Sequence, residues 1–198
     1  YEMLRSLVGS EMCIRDSHTR GLTYFELRGV PLIAHPNIFD TKIDENKIHY
    51  GCPISEEELG RRYRLNLTNR PFWLNNEFVF LGEIPENKSA DIDDTALVHK
   101  TNEGIFIITG CSHSGIINII NYAKQVCKEG RILGVLGGFH FLKKSEEELE
   151  EICSLMLKAG VNPEYPLYPC HCCDLKSKII MSKFFNVQEV CTGDVLNC

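Results

Sequence analysis

The second half of the chain alternates short apolar runs with longer amphipathic stretches, and this alternation limits the fold more than any other feature. Apolar runs at 104–109, 131–136 and 165–168 predict buried strands. Apolar residues recur at helical spacing over Ile116–Cys127, and further helices are predicted over 145–160 and 175–185. Helices that alternate with strands in this way are typical of an α/β protein, in which helices cover the outside of a sheet.

The first half of the chain is richer in predicted strands and loops. Residues 22–34 predict a short helix followed by a strand, and the polar residues 36–50 predict a loop. Ser55 and Glu58 predict the capped start of a short helix that ends at Arg62. Strands are also predicted over 77–81, 95–99 and 189–191, and the second of these pairs with 104–109 in a hairpin.

Composition limits the class of partner. The chain has 198 residues, which is enough for a domain with a sizeable core. Its net charge of -6 gives no reason to expect nucleic acid or an anionic membrane as a partner, and it leaves a homo-oligomer open. No apolar run approaches the ~20 residues that span a bilayer, and no signal peptide is visible. Ten cysteines in such a chain indicate reduced thiols and predict a cytoplasmic protein.

The first residues of the chain do not follow the pattern of the rest. Residues 1–16 lack clear periodicity, and the string at 6–16 looks like a translated sequencing adapter. We therefore expect 1–16 to be a non-native segment and 17–198 to be one partial domain, with the natural protein beginning upstream.

Three histidines are predicted at places where a strand stops. His113 lies in Gly-Cys-Ser-His-Ser-Gly at 110–115, His140 ends Gly-Gly-Phe-His, and His171 lies in Pro-Cys-His-Cys. One histidine at a strand end is more often structural than functional. Because the carboxyl ends of strands in an α/β sheet gather at one edge, the three imidazoles are predicted to meet there and to bind a metal ion.

Other residues near these motifs have two interpretations each. Cys170, Cys172 and Cys173 are either a thiolate metal site or small residues that pack around His171. Asp93 and Asp94 either contact a metal or substrate, or form a turn that supports the site. For His35, His49 and His99 we expect surface or packing roles, and for Trp73 packing, with contact to a flat substrate as the alternative.

These motifs resemble the metallo-β-lactamase superfamily, and within it the branch of 7,8-dihydropterin-6-methyl-4-(β-D-ribofuranosyl)aminobenzene 5′-phosphate synthase. The matching segments lie between 17 and 193, at 81–85, 93–97, 109–118, 137–140 and 169–172. The resemblance implies a four-layer αβ/βα sandwich, here without its N-terminal strands, and a site for two divalent metal ions. Zinc is the implied metal, with manganese or iron as alternatives.

The resemblance also implies roles for individual residues. His18 is similar to the last histidine of the family's His-x-His-x-Asp-His motif, although Ser17 stands where that motif has aspartate and the upstream His-x-His is absent. His113 and His171 match metal ligands. His140 stands near the family's metal-bridging aspartate, which implies a ligand or a catalytic contact with substrate.

The implied function is that of a metal-dependent hydrolase or transferase. Its substrate would be a small phosphorylated or pterin-like molecule, attacked by a metal-activated water or by a second substrate as a leaving group departs. The alternatives are a non-catalytic metal-binding or redox-sensing domain, motivated by the cysteines at 170–173, and an inactive fragment of the enzyme that binds metal poorly. A His-x-His-x-Asp sequence upstream of Ser17 would complete the site.

Overall fold

The computed structural model of the chain describes residues 22, 24, 28–40, 42–43, 49–50, 52–85 and 94–196. The chain divides into two compact units, which are Tyr1–Asn69 and Arg70–Cys198. Within the described residues, no helix combines the length and the apolar character that crossing a membrane requires.

The first unit contains two small sheets and one α-helix. Its strands are β1 (Pro31–Ala34), β2 (Lys42–Ile43), β3 (His49–Tyr50) and β4 (Arg64–Leu67), with a 3-10 helix at Pro36–Phe39 and α1 at Glu56–Arg62. β1 pairs with β4 in parallel, and β2 pairs with β3 in antiparallel orientation. The loop predicted over 36–50 is therefore wrong in part. The predicted start of α1 is confirmed, because Ser55 Oγ accepts a hydrogen bond of 3.2 Å from the backbone N–H of Glu58.

The second unit is built on one seven-stranded mixed sheet. Its strands are β5 (Phe72–Trp73), β6 (Phe78–Phe80), β7 (Ala96–Lys100), β8 (Ile105–Thr109), β9 (Ile132–Gly137), β10 (Pro166–Pro169) and β11 (Asn186–Val187). They lie side by side in the order β11-β10-β9-β8-β7-β6-β5. The pairs from β5 to β8 are antiparallel, and those from β8 to β11 are parallel. The carboxyl ends of β8, β9 and β10 consequently lie at one edge.

Three helices follow the parallel strands of this sheet. They are α2 (Ile116–Cys127), α3 (Glu146–Lys158) and α4 (Leu175–Met181). α2 buries Ile116, Ile119 and Ile120 at helical spacing. Burying one such side chain stabilises the fold by about 1.5–3 kcal/mol. The start predicted for α3 is confirmed, because Ser145 and Glu148 form a reciprocal capping box.

Two predictions near the carboxyl end are wrong. The last helix ends at Met181 rather than at 185, since the chain continues as turns in which Phe184 and Phe185 donate to the Met181 carbonyl. The last strand is Asn186–Val187, where the backbone pairs with Pro166 and Leu167 of β10. Cys191, predicted in a strand, lies exposed in a turn that the Asp194 N–H closes on its carbonyl.

Candidate metal centre

Three loops leave the carboxyl ends of β8, β9 and β10, and we call them the first, second and third motif loops. The first spans 110–115 and leads into α2. The second spans 138–141, and the third spans 170–174 and leads into α4. The loops contain His113, His140 and His171 respectively. The predicted placement of the three histidines at one sheet edge is therefore correct for their backbones.

His113 and His140 come together. Their ring centroids are 4.9 Å apart, and the rings are inclined by 69° in an edge-to-face arrangement. The Nε2 atom of His113 is buried, whereas the His140 side chain is exposed. Two imidazoles from different loops are therefore in contact, and one of them has a buried ring nitrogen while the other is exposed to solvent.

Both imidazoles line a cavity of about 270 Å³. Its apolar walls come from the start of α2, the second motif loop and α3. The described lining residues are Ser112, His113, Gly115, Ile116, Ile117, Asn118, Phe139, His140, Phe141, Lys144 and Ile152. Among them Lys144 is the one lysine or arginine, and none is an aspartate or glutamate. The cavity therefore suits a small molecule with an apolar body and a negative group.

His171 does not join the pair in this arrangement. Its side chain is exposed, its φ is 37°, and it is not among the residues that line the cavity. His18 lies outside the described residues. Within the described ranges, no three histidine, cysteine, aspartate or glutamate side chains are grouped closely enough to hold a metal ion.

The imidazoles of His113 and His140 are chemically suited to bind a metal ion, and they would supply part of its ligand set. Neutral imidazole nitrogen is a common ligand of zinc, manganese and iron. A catalytic zinc site takes three protein ligands, so the pair would need at least one more. His171 and His18 therefore remain predicted ligands.

Hydrogen bonds join the motif loops to one another. The Gly138 N–H donates to the Gly110 carbonyl at 2.7 Å, and Ser112 Oγ donates to the Gly138 carbonyl at 2.6 Å. A Cβ atom at Gly138 would lie 2.7 Å from Cys172 Sγ and 2.9 Å from the Gly110 carbonyl oxygen. Glycine is required there because the first and third motif loops approach the backbone on both sides.

Known proteins resemble this chain in sequence and in fold. No protein-family model matches it. It is 26% identical over 185 residues to the uncharacterized protein MJ0448 of Methanocaldococcus jannaschii, covering 85% of this chain and 70% of that protein. It is 23% identical over 185 residues to the 7,8-dihydropterin-6-methyl-4-(beta-D-ribofuranosyl)-aminobenzene-5'-phosphate synthase of the same organism, covering 79% of this chain and 61% of that protein.

A solved crystal structure has a similar fold. The crystal structure of Tm1679, a metal-dependent hydrolase of the beta-lactamase superfamily, matches with a TM-score of 0.74 and 26% identity over 87% of this chain and 72% of that chain. The chain has a metallo-β-lactamase-like fold. The resemblance predicted from the motifs is confirmed. The hydrolase and the synthase together support a metal-dependent enzyme in the broad sense.

The cysteines of this metallo-β-lactamase-like chain pack against the second motif loop. Cys172 is 1% exposed and Cys173 is 7% exposed. Their sulfur atoms accept hydrogen bonds from the backbone, Cys173 Sγ from Phe139 at 3.4 Å and Cys172 Sγ from His140 at 3.1 Å. Both thiols are buried, as a packing role predicts, and each accepts from a backbone amide of the second motif loop, Cys173 from Phe139 and Cys172 from His140.

The surroundings of two of these thiols oppose their ionisation. A hydrogen bond with Cys172 and then burial raise the pKa of Cys173, and burial raises the pKa of Cys170. Thiolate ligands or reactive thiolates are favoured by the opposite change. The Cys-only metal site is therefore not supported by these residues.

Two carboxylates support the motif loops from the side. Asp94 Oδ2 accepts hydrogen bonds from the Ser114 N–H at 2.9 Å and from Ser114 Oγ at 2.5 Å, next to His113. This is the supporting role predicted for Asp94, whereas Asp93 lies outside the described residues. Asp174 begins α4 by accepting from the Ser177 N–H at 2.8 Å. Hydrogen bonds from the Ser177 hydroxyl and N–H lower the pKa of Asp174.

The structure describes the side chains of three other residues singled out in the sequence, His35, His99 and Trp73. His35 is 2% exposed, and its Nδ1 accepts from the Asn37 N–H at 3.2 Å. His99 stacks on Phe78 with ring centroids 4.5 Å apart. Trp73, predicted to pack, is 41% exposed on β5. The side chain of His49 lies outside the described residues.

Sequence reasoning missed Ser112, Lys144 and the capping role of Asp174. An aspartate before an apolar helical stretch is a recognisable signal for the start of a helix, so the capping role of Asp174 could have been predicted from the sequence. No local signal points to Ser112 or Lys144, because their partners lie on other loops or in the cavity.

Proposed function

We propose that this chain is a metal-dependent enzyme that hydrolyses a small phosphorylated or pterin-like molecule or transfers a group from it. The observation that carries the proposal is the His113–His140 pair, whose ring centroids lie 4.9 Å apart in the wall of the cavity. The similarity to a metal-dependent hydrolase supports the metal, and the similarity to a pterin synthase supports the substrate class.

His113 and His140 are the residues we propose as metal ligands, with His171 and His18 as further ligands. Zinc is the proposed metal, with manganese or iron as alternatives and two ions in the complete site. A divalent ion supplies Lewis acidity toward a phosphoryl or ester oxygen and, as a consequence, a better nucleophile or leaving group.

The cavity residues determine how a substrate is held. Ile117 and Ile152, half-buried in the cavity wall, offer an apolar surface for a flat ring. The Lys144 side chain would offset the charge of a phosphate group. His140, exposed at the rim, is in reach of a substrate that enters from solvent, which suits the catalytic role predicted for it.

Hydrolase and transferase chemistry share these residues. The description of the solved neighbour favours hydrolysis, and the name of the synthase relative favours transfer. Redox sensing is less well supported, because it needs an accessible thiol of low pKa, whereas burial raises the pKa of Cys170. A metal-binding protein without catalysis remains the second candidate.

The test measures metal content and turnover on the same samples. Elemental analysis of the purified protein is expected to show zinc, manganese or iron. Chelation is expected to abolish cleavage of a phosphodiester such as bis(p-nitrophenyl) phosphate, or transfer of the pterin group from a reduced pterin pyrophosphate to a second, nucleophilic substrate with release of pyrophosphate. Comparing the two reactions separates hydrolase from transferase.

Three variants locate the centre. His113→Ala and His140→Ala should lose metal and at least about 100-fold in turnover, the effect expected when a ligand rather than its support is removed. His99→Ala is the matched control, because it removes an imidazole that stacks on Phe78 in β6. Full activity in both ligand variants or after exhaustive chelation contradicts the proposal. Bound metal without turnover of either substrate supports the non-catalytic alternative.

A further inference from the structure

We propose that Cys172 is a positioning residue that fixes the second motif loop and thereby holds the His140 imidazole beside His113. The consequence for metal binding and turnover rests on the proposed function. The positioning itself is a property of the fold and can be tested without metal or substrate.

Cys172 anchors two successive amides of the second motif loop. Its Sγ accepts from the His140 N–H at 3.1 Å, and its carbonyl oxygen accepts from the Phe141 N–H at 3.0 Å. One residue therefore fixes the backbone on both sides of the His140 Cα atom.

The same sulfur reaches the first motif loop. Cys172 Sγ donates to the Cys111 carbonyl at 3.7 Å, two residues before His113. The position of Cys172 between the loops is closely constrained, since the Cβ of any residue at 138 would approach the sulfur to 2.7 Å. Cys172 thus contacts both loops that supply the imidazole pair.

His140 needs such an anchor because its backbone is strained. Its φ is 56°, in the left-handed region that non-glycine residues seldom adopt. That conformation costs about 1–2 kcal/mol, and it persists only where the surrounding structure enforces it. The neighbouring Phe139 amide is anchored in the same way on Cys173 Sγ at 3.4 Å. Without the Cys172 Sγ acceptor the His140 amide would lose its partner, and the strained backbone between the Phe139 and Phe141 anchors would relax and carry the imidazole away from His113.

The test compares Cys172→Ala, which removes the acceptor, with Cys172→Ser, which keeps an acceptor on a shorter side chain. Cys127→Ala is the matched control. Cys127 is 1% exposed and ends α2, which places it about 18 Å along the helix from the first motif loop. The control therefore also removes a buried thiol, but one at the far end of α2 from the motif loops.

The first readout is structural and uses the metal-free protein. Hydrogen exchange of the His140 amide should be at least about tenfold faster in Cys172→Ala, and the contact between the His113 and His140 rings in NMR spectra should be lost. Cys172→Ser should restore most of both, and core amides of β8 should exchange as in the wild type. Cys127→Ala should change neither quantity.

The second readout is functional. Metal affinity should fall about 10–100-fold in Cys172→Ala, as expected when a residue that orients a ligand is lost. kcat should fall more than KM rises, and Cys172→Ser should recover part of both.

An unchanged His140 amide and an unchanged ring contact in Cys172→Ala overturn the proposal. If Cys172→Ala does not fold, the wild-type protein decides, because a His140 amide that exchanges as fast as an unprotected amide, or the absence of a contact between the two rings, overturns the proposal. A wild-type protein that binds no divalent metal contradicts the proposed function, whereas the amide and ring measurements still judge the positioning role.

Discussion

The two ends of the parallel strands β8, β9 and β10 satisfy their polar groups in different ways. At the amino ends each turn has a side-chain contact of its own, and Arg131 Nη2 also donates to the Asn102 carbonyl of a neighbouring turn at 3.0 Å. Thr101 Oγ1 accepts from the Gly104 N–H, Glu129 pairs with Arg131, and Asn162 Oδ1 accepts from the Glu164 N–H, each within three residues. At the carboxyl ends the partners lie 26 and 32 residues apart, as in Ser112 to Gly138 and His140 to Cys172.

Backbone strain follows the same division. Each of the three motif loops contains a non-glycine residue with positive φ, namely Ser112 at 55°, His140 at 56° and His171 at 37°. At the amino ends, Lys128 at 51° closes α2 in an ordinary left-handed cap. Strain held by long-range contacts is a known mark of functional loops. The comparison shows that a buried hydrogen bond joins the strained loops at the carboxyl ends, whereas the contact between turns from Arg131 to Asn102 at the amino ends is exposed to solvent.

The largest expected effect concerns Gly137, the last residue of β9. A Cβ atom there would lie 2.1 Å from the Thr109 carbonyl oxygen, and its φ of 139° is strained for other residues. Gly137→Ala should therefore lower the free energy of unfolding by about 3 kcal/mol, the upper range for overpacking. Chemical denaturation provides the measurement.

The matched change at the amino end is Gly130→Ala. No heavy atom lies within 4 Å of a Cβ atom built at Gly130, so this substitution should change the stability by no more than about 0.5 kcal/mol. Equal effects of the two substitutions would remove the proposed difference between the strand ends.

A second prediction concerns the hydroxyl of Ser112. It is 1% exposed and donates to the Gly138 carbonyl at 2.6 Å. Ser112→Ala would leave that acceptor without its donor, so the free energy of unfolding should fall by about 2 kcal/mol. Thr101→Ala at the amino end should cost less than about 1 kcal/mol, because water replaces its exposed turn contacts. A larger loss for Thr101→Ala than for Ser112→Ala reverses the ranking.

Local periodicity predicted most elements of the second unit. Ile116–Cys127 and the hairpin of β7 and β8 follow from the spacing of apolar residues alone. The strand predicted at 189–191 failed because pairing with Pro166 and Leu167 of β10, and not composition, decides where β11 forms. A two-residue strand has no periodicity to detect.

The candidate site was predictable at the level of the sheet edge and no further. Strand ends indicated that His113, His140 and His171 share an edge. They did not indicate that His171 is exposed and outside the cavity lining while His113 meets His140 at 4.9 Å. Side-chain direction depends on the positive φ values and on contacts with Cys172, which are long-range properties.

A third prediction sharpens the comparison by asking what the carboxyl-end loops bind. Lys144 is the one basic residue among the described residues of the cavity wall. Lys144→Gln should raise KM for a phosphorylated substrate about tenfold, equivalent to about 1.4 kcal/mol, with little change in kcat. Steady-state kinetics of the purified protein test this. Lys143→Gln is the control, since Lys143 is exposed and does not line the cavity. The same KM in both variants would show that the cavity does not bind the phosphate through Lys144.

The smallest expected effect belongs to Asp174, which begins α4 at the end of the third motif loop. Its carboxylate accepts from the Ser177 N–H and hydroxyl, and these hydrogen bonds lower its pKa. Asp174→Ala should lower the free energy of unfolding by about 1 kcal/mol through loss of the helix cap.

The charge of Asp174 predicts a dependence of stability on pH. Because the pKa of Asp174 is lower in the folded than in the unfolded protein, the stabilisation from its ionisation is complete above the unfolded pKa of about 3.9. It is lost as the pH falls through the folded pKa. Asp174→Asn keeps a capping oxygen but cannot titrate, so its free energy of unfolding should depend less on pH below about 4 than that of the wild type. Parallel acid-unfolding curves for the two proteins would mean that the cap acts through geometry alone and that charge contributes nothing at this strand end.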